Sequence, residues 1–137
     1  MHPEYITEIA RYIENDTKYP IPPMTPFAGQ NFNLTRAGIH ADGLMKNPEI
    51  YNIFDTESIL NRPPKVSITG TSGTAGIVFW LNHSYSRRGE KEYTKKDPLV
   101  AKLYEWVTDQ FDNGRITMIS DAEMEEQIAT LCEAQDL

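Results

Sequence analysis

His40 stands between Gly38 and Gly43 in the segment Ala37-Gly38-Ile39-His40-Ala41-Asp42-Gly43-Leu44-Met45-Lys46-Asn47-Pro48-Glu49-Ile50-Tyr51, which ends on a phenol. A neutral imidazole transfers protons near pH 7, the step that enolisation of a thioester needs. The plainer reading of a lone histidine is a surface or capping residue, and that of Asp42 is a turn residue ahead of Gly43. On one unbroken helix His40 and Tyr51 would share a face yet lie about 16 Å apart, at 1.5 Å per residue. Gly43 and Pro48 supply the break that would let both side chains converge on one pocket.

Other chemistries find less support. The run Gly70-Thr71-Ser72-Gly73-Thr74-Ala75-Gly76 could offer backbone amides to an anion at a helix start. It lacks a P-loop lysine and a dinucleotide fingerprint, so helix capping by Thr71 or Ser72 and close packing are the favoured roles. No HxH, HxxxH or HExxH pair occurs, and His2, His40 and His83 are dispersed, which argues against a histidine-based metal site. Cys132 is the lone cysteine and excludes an internal disulfide. Trp80, Tyr85, Tyr104 and Trp106 read as core or interface aromatics.

These residues must be held by a small chain. Its 137 residues fit one compact unit or a piece of something larger, and 13 Lys plus Arg against 20 Asp plus Glu give a net charge of -7. Binding to nucleic acid or to an anionic membrane is disfavoured. No apolar run approaches the roughly 20 residues of a bilayer span, and Met1-His2-Pro3-Glu4 does not open a signal peptide, so a cytoplasmic location is expected.

The pattern predicts a mainly α chain with one or two short strands at most. Residues 1–16 form a leading amphipathic helix whose stripe, Ile6, Ile9, Ala10 and Ile13, must pack on something. Residues 17–31, with Pro20, Pro22, Pro23 and Pro26, form a stiff, partly extended linker. Residues 32–64 form a small helical subdomain of two or three short helices rather than a sheet, with Asn47 capping a helix that begins at Pro48. Residues 65–137 form a helical C-terminal subdomain. There Lys65–Ile68 alternates like a strand, Ile77–Leu81 is apolar all round and is read as a buried helix, Asp97-Pro98 opens a helix closed by Asn113-Gly114, and Ser120–Glu123 is a capping box.

Gly38-Ile39-His40-Ala41-Asp42-Gly43, followed by Lys46-Asn47 and Tyr51, resembles the GIHxDG…KN…Y segment of the 2-isopropylmalate, citramalate and homocitrate synthase family. Ser72-Gly73-Thr74-Ala75 is similar to that family's SGxxA element, and the segment from Phe79 to Leu137 is similar to the tail of a subgroup related to Re-citrate synthases. The resemblance implies an acyltransferase that joins an acetyl-CoA-derived enolate to a 2-oxo acid held on a divalent metal in a TIM barrel. The barrel's DRE motif and HxH metal pair are not in this chain, which therefore resembles the helical region after the barrel. In the family that region crosses a homodimer to the partner's barrel.

Carried over, the resemblance makes His40 the acid–base histidine and Tyr51 the group that polarises or protonates the reacting oxygen. Asp42, Gly43, Asn47, Ser72 and Gly73 become substrate-binding or loop-shaping positions, and Lys46 has no assigned role. No metal or cofactor is expected in this segment itself, and the segment by itself is expected to be inactive. Thr35 and Ala37 stand where many relatives carry histidine and serine, which favours a homocitrate- or Re-citrate-type assignment over an ordinary 2-isopropylmalate synthase. No room is expected for the leucine-binding domain that some members append. The competing reading is a non-catalytic helical oligomerisation or effector-binding module.

Overall fold

In a computed structural model, which describes residues 2–36, 38–47, 49, 52, 54–86 and 91–133, the described residues hold a 3-10 turn at Pro3–Tyr5, six α-helices and one two-stranded sheet. The helices are α1 Ile6–Thr17, α2 Gly38–Lys46, α3 Thr56–Leu60, α4 Gly73–Trp80, α5 Pro98–Asp112 and α6 Asp121–Glu133, and a π turn, Leu81–Tyr85, prolongs α4. The chain is mainly α, as its pattern predicts.

The strands correct one expectation. Within the segment read as purely helical, β1 (Leu34–Thr35) pairs in parallel with β2 (Lys65–Val66), Leu34 opposite Lys65 and Thr35 opposite Val66. β2 lies in the stretch Lys65–Ile68 whose alternation predicts a strand, whereas the two residues of β1 carry too little alternation to be read locally. A parallel pair also needs a long crossover, which here holds α2 and α3.

α4 is the centre of the fold, and its sequence explains why. Ile77, Val78, Phe79 and Trp80 are all buried, so no polar face exists and the helix must be covered all round. On one side α5 contributes Val100, Leu103 and Val107, and α6 contributes Met124 and Ile128. On the other side Ala41 and Leu44 of α2 meet Phe79 and Val66 of β2. The indole Nε1 of Trp80 donates to Asp121 Oδ1 at 2.7 Å, fixing the end of α4 to the start of α6.

α5 begins and ends, and α6 begins, as their capping signals predict. Pro98 opens α5, and Gly114, at φ +92°, follows its end. At α6, Glu123 N–H donates to Ser120 Oγ at 3.3 Å and Ser120 N–H donates to Glu123 Oε2 at 2.8 Å. Arg115 grips the same carboxylate through two nitrogens, at 2.7 and 2.8 Å. The Arg115 guanidinium, helped by Ser120, holds the Glu123 carboxyl down at about 2.

A lowered carboxyl contributes stability that is complete above its ordinary range and is lost as pH falls through the folded value. The difference in Tm between the native chain and Arg115→Gln is therefore expected to be largest above about pH 5 and to narrow as pH falls to about 2. Thermal unfolding followed by circular dichroism across that range measures it.

One part of the amino-terminal reading needs revision. Of the α1 stripe only Ala10 is buried, with Ile9 54% and Ile13 45% exposed, because the contact with α3 is made by the preceding turn Pro3–Tyr5 and by Thr7, whose Oγ1 donates to the Leu60 carbonyl. The proline-rich segment is extended only up to Ile21, and residues 22–31 then fold into successive turns. Buried Arg62 closes them by donating to the carbonyls of Phe27 and Gln30, at 3.2 and 3.0 Å, while its guanidinium lies over the Phe32 ring.

Candidate functional site

α2 carries His40, and its position depends on a missing side chain. Gly38 N–H donates to the Thr71 carbonyl at 3.1 Å, and a Cβ on Gly38 would lie 2.1 Å from the Ser72 carbonyl oxygen. No other residue type fits unless the start of α2 moves off the turn before α4. Gly38→Ala is expected to destabilise the fold by about 2 kcal/mol, within the usual range for overpacking, a loss that urea unfolding would register.

Helical spacing turns Ala41 and Leu44 inward, while Ile39 and His40 are exposed. Their packing also overrides the second glycine. The break expected between His40 and Tyr51 falls at Asn47, not at Gly43, since α2 runs through Gly43 to Lys46. A mid-helix glycine costs about 1 kcal/mol relative to alanine, and burial against α4 offsets that. Asp42 is accordingly a helical residue, not a turn residue. Its carboxylate accepts from Lys46 Nζ at 2.6 Å and from Lys95 Nζ at 2.5 Å, and these two bonds hold its pKa down at about 2. Lys95 thereby ties the loop before α5 to the histidine helix.

Asn47 ends α2 and accepts a hydrogen bond from Glu49 N–H through Oδ1 at 3.1 Å, the contact expected of an N-cap. Pro48 and Tyr51 lie outside the described residues, and so does the expected meeting of His40 with Tyr51. Ser72 does not cap α4 with its side chain as expected. Its fully buried hydroxyl donates to the Ser67 carbonyl at 2.9 Å and accepts from Thr69 N–H at 2.8 Å, shaping the turn on which Gly38 rests. Gly73, at φ +59°, begins the helix in a conformation that a side chain would strain.

Beyond Leu44 a cleft of about 660 Å³ opens between α2, α3 and the end of α4. Its apolar wall is Leu44, Phe54, Pro64 and Phe79, and its polar lining is Asn47, Glu49, Asn52, Asp55, Glu57 and His83. The Asp55 carboxylate is spent on capping α3, accepting from the Ser58 and Glu57 N–H groups at 3.1 and 3.0 Å, which lowers its pKa. Leu44 lies one turn beyond His40 along α2, and Asn47 follows the end of the helix.

Sequence reasoning passed over His83. Its ring stacks on Phe79, centroids 3.9 Å apart and planes 6° from parallel, and Nδ1 lies 3.1 Å from the Phe79 carbonyl oxygen. A carbonyl only accepts, so Nδ1 carries the proton of that bond and Nε2 is the acceptor of the neutral ring. The available signal was spacing, since a histidine four residues after a buried aromatic lies over it on a helix. Among the described residues no three His, Cys, Asp or Glu side chains group so as to hold a metal ion. The donor set present does not fit a divalent cation, and no step is assigned to one.

No family model matches the chain. It is 46% identical over 123 residues to a citrate (Re)-synthase of Syntrophus aciditrophicus, covering 90% of this chain and 20% of that protein. It is 48% identical over 120 residues to the citrate (Re)-synthase of Clostridium kluyveri, covering 88% and 26%. A 2-phosphinomethylmalate synthase of Streptomyces hygroscopicus is 39% identical over 100 residues, covering 73% and 22%. More distant matches include 2-isopropylmalate synthases and a citramalate synthase. The chain belongs to this synthase family. It spans about a fifth to a quarter of the length of these curated relatives. In this synthase-family chain the motif histidine sits on the outer side of a helix fixed by Gly38, and the cleft lies further along that helix. No described helix is long and apolar enough to cross a membrane.

Proposed function

We propose that this chain is the post-barrel part of a cytoplasmic synthase that condenses acetyl-CoA with a 2-oxo acid, working across a homodimer on the partner's barrel. The observation that carries this reading is the identity of 46% and 48% to citrate (Re)-synthases across about nine-tenths of the chain. His40 is the acid–base group. Its imidazole takes a proton from the methyl carbon beside the thioester carbonyl, and the resulting enolate adds to the 2-oxo carbonyl. Tyr51 polarises or protonates the reacting oxygen, and water then hydrolyses the hydroxyacyl thioester, giving the carboxylate and free CoA. Asp42 and its two lysines, Gly43 and Asn47 set the course of the chain between these groups, while Ser72 and Gly73 shape the turn beneath Gly38. A divalent metal, on the resemblance, belongs to the barrel polypeptide.

Exposed Ile9, Tyr12 and Ile13 on α1 favour the second reading, a helical oligomerisation or effector module without chemistry. Citrate less an acetyl unit is oxaloacetate, which is therefore the 2-oxo acid to assay first. The experiment compares CoA release from acetyl-CoA and oxaloacetate by the 137-residue chain and by the polypeptide that includes the coding sequence upstream of it. The expected outcome is turnover only with the upstream sequence, which should supply a barrel of about 250 residues. Upstream sequence without a barrel, or turnover with neither polypeptide, would reject the proposal in favour of the module.

A further inference from the structure

α2 rests on the molecule along one stripe. Gly38 meets the turn before α4, and Ala41, Leu44 and Met45 pack on the apolar core. Burial of this kind is non-directional, so it fixes the distance of a helix from the core more firmly than its roll about its own axis. At 3.6 residues per turn successive side chains lie about 100° apart, which puts His40 and Asp42 on opposite flanks of the buried Ala41. A roll that displaces one flank displaces the other with it.

The Asp42 flank is held from outside the helix. Lys46, which donates to Asp42 Oδ2, belongs to α2 itself, so that bond places no restraint on roll. Lys95 lies 53 positions away in the chain and donates to Asp42 Oδ1 at 2.5 Å. The loop that carries Lys95 is braced on both sides. The Asn82 carboxamide donates to the Tyr93 carbonyl at 2.9 Å and accepts from Tyr93 N–H at 2.8 Å. The Asp97 carboxylate accepts from Thr94 N–H at 2.7 Å and from Lys91 Nζ at 3.0 Å. Asn82 belongs to the π turn that prolongs α4, so a tie runs from the central helix through a braced loop to one flank of α2. Ion pairs near the surface add little to stability, and the consequence of this one is orientation.

We infer that Lys95 is a positioning residue for His40: acting through Asp42, it fixes the roll of α2 and so the direction in which the imidazole meets substrate. The inference rests on the acid–base role proposed for His40 and adds to that role a residue from outside the histidine segment.

The test uses Lys95→Met, which removes the charge, and Lys95→Arg, which keeps it. In the isotope-labelled 137-residue chain, NMR residual dipolar couplings of the Cα–Hα bonds of α2, measured in the frame of α4, report the roll of the helix. They are expected to change with Lys95→Met and to return with Lys95→Arg. In the polypeptide that includes the upstream sequence, Lys95→Met is expected to lower kcat about tenfold, less than the hundredfold that about an ångström of misplacement can cost. KM for the 2-oxo acid should change little, and Tm should move by less than about 4 °C. Added to His40→Ala, Lys95→Met is expected to remove no further activity, because its effect passes through the imidazole. Asp42→Asn breaks the contact from its other end should Lys95→Met fail to fold. Unmoved couplings, an undiminished kcat beside native turnover, or a further loss on top of His40→Ala would overturn the inference and leave the proposed function standing. Absence of turnover by the native longer polypeptide would reject the function, and the couplings would still decide whether Lys95 sets the roll of α2.

Discussion

His40→Ala, made in the polypeptide that includes the upstream sequence, is expected to reduce kcat for the condensation about a hundredfold or more while KM for the 2-oxo acid changes little. Positioned acid–base groups contribute about a hundred- to ten-thousandfold, and a group that acts only in the transition state lowers kcat and kcat/KM together. The fold should be indifferent. His40 is exposed on α2, where surface truncations cost about 0.5 kcal/mol or less. Steady-state kinetics beside a thermal unfolding curve separates the two effects. A near-native kcat with altered subunit association would favour the module reading.

Trp80→Ala is expected to produce the largest loss of stability, about 3–5 kcal/mol, against a total of roughly 5–15 for a domain of this kind. The indole is 2% exposed, belongs to the central cluster and donates to Asp121. Its removal opens a cavity at the junction of α4 and α6 and leaves the carboxylate without its donor. Trp80→Phe separates the two contributions. It keeps an aromatic ring in the core, removes the Nε1–H donor and is expected to cost about 1–2 kcal/mol. Urea titration of both variants gives the comparison.

How legible the fold is depends on how local its causes are. The starts of α5 and α6 are written in adjacent residues, Asp97-Pro98 and Ser120 with Glu123, so propensity and capping chemistry find them unaided. The course of α2 is not written this way. Gly38 and Gly43 read as turns, but Gly38 is required by the approach of the Ser72 carbonyl and Gly43 is carried in a helix held by Ala41 and Leu44 against Phe79. Both reasons lie in α4 and the turn before it, some thirty residues away. β2 is legible in the alternation of Lys65–Ile68, but β1 and its pairing with β2 are not, for the same kind of reason, since the partners are separated by α2 and α3.

The candidate site divides likewise. His40 announces itself by its motif, and Ser72 reads as a helix cap, whereas its hydroxyl serves the backbone of Ser67 and Thr69 rather than the start of α4. His83 carries no motif. Its place in the cleft follows from the π turn that ends α4 and from the stacking on Phe79, neither of which is visible before the helix is built.

The grip of Arg62 on the strap of residues 22–31 has an evolutionary consequence. Arg62 donates to main-chain carbonyls at Phe27 and Gln30, so what it recognises is the path of the strap and not the identity of its side chains. A planar fork of donors reaches two such acceptors at once, whereas an ammonium offers a single point of charge. Related chains should therefore tolerate wide drift of the strap's letters. Two positions should resist: the arginine, and Gly29, where a Cβ would come within 2.3 Å of the Pro23 carbonyl oxygen.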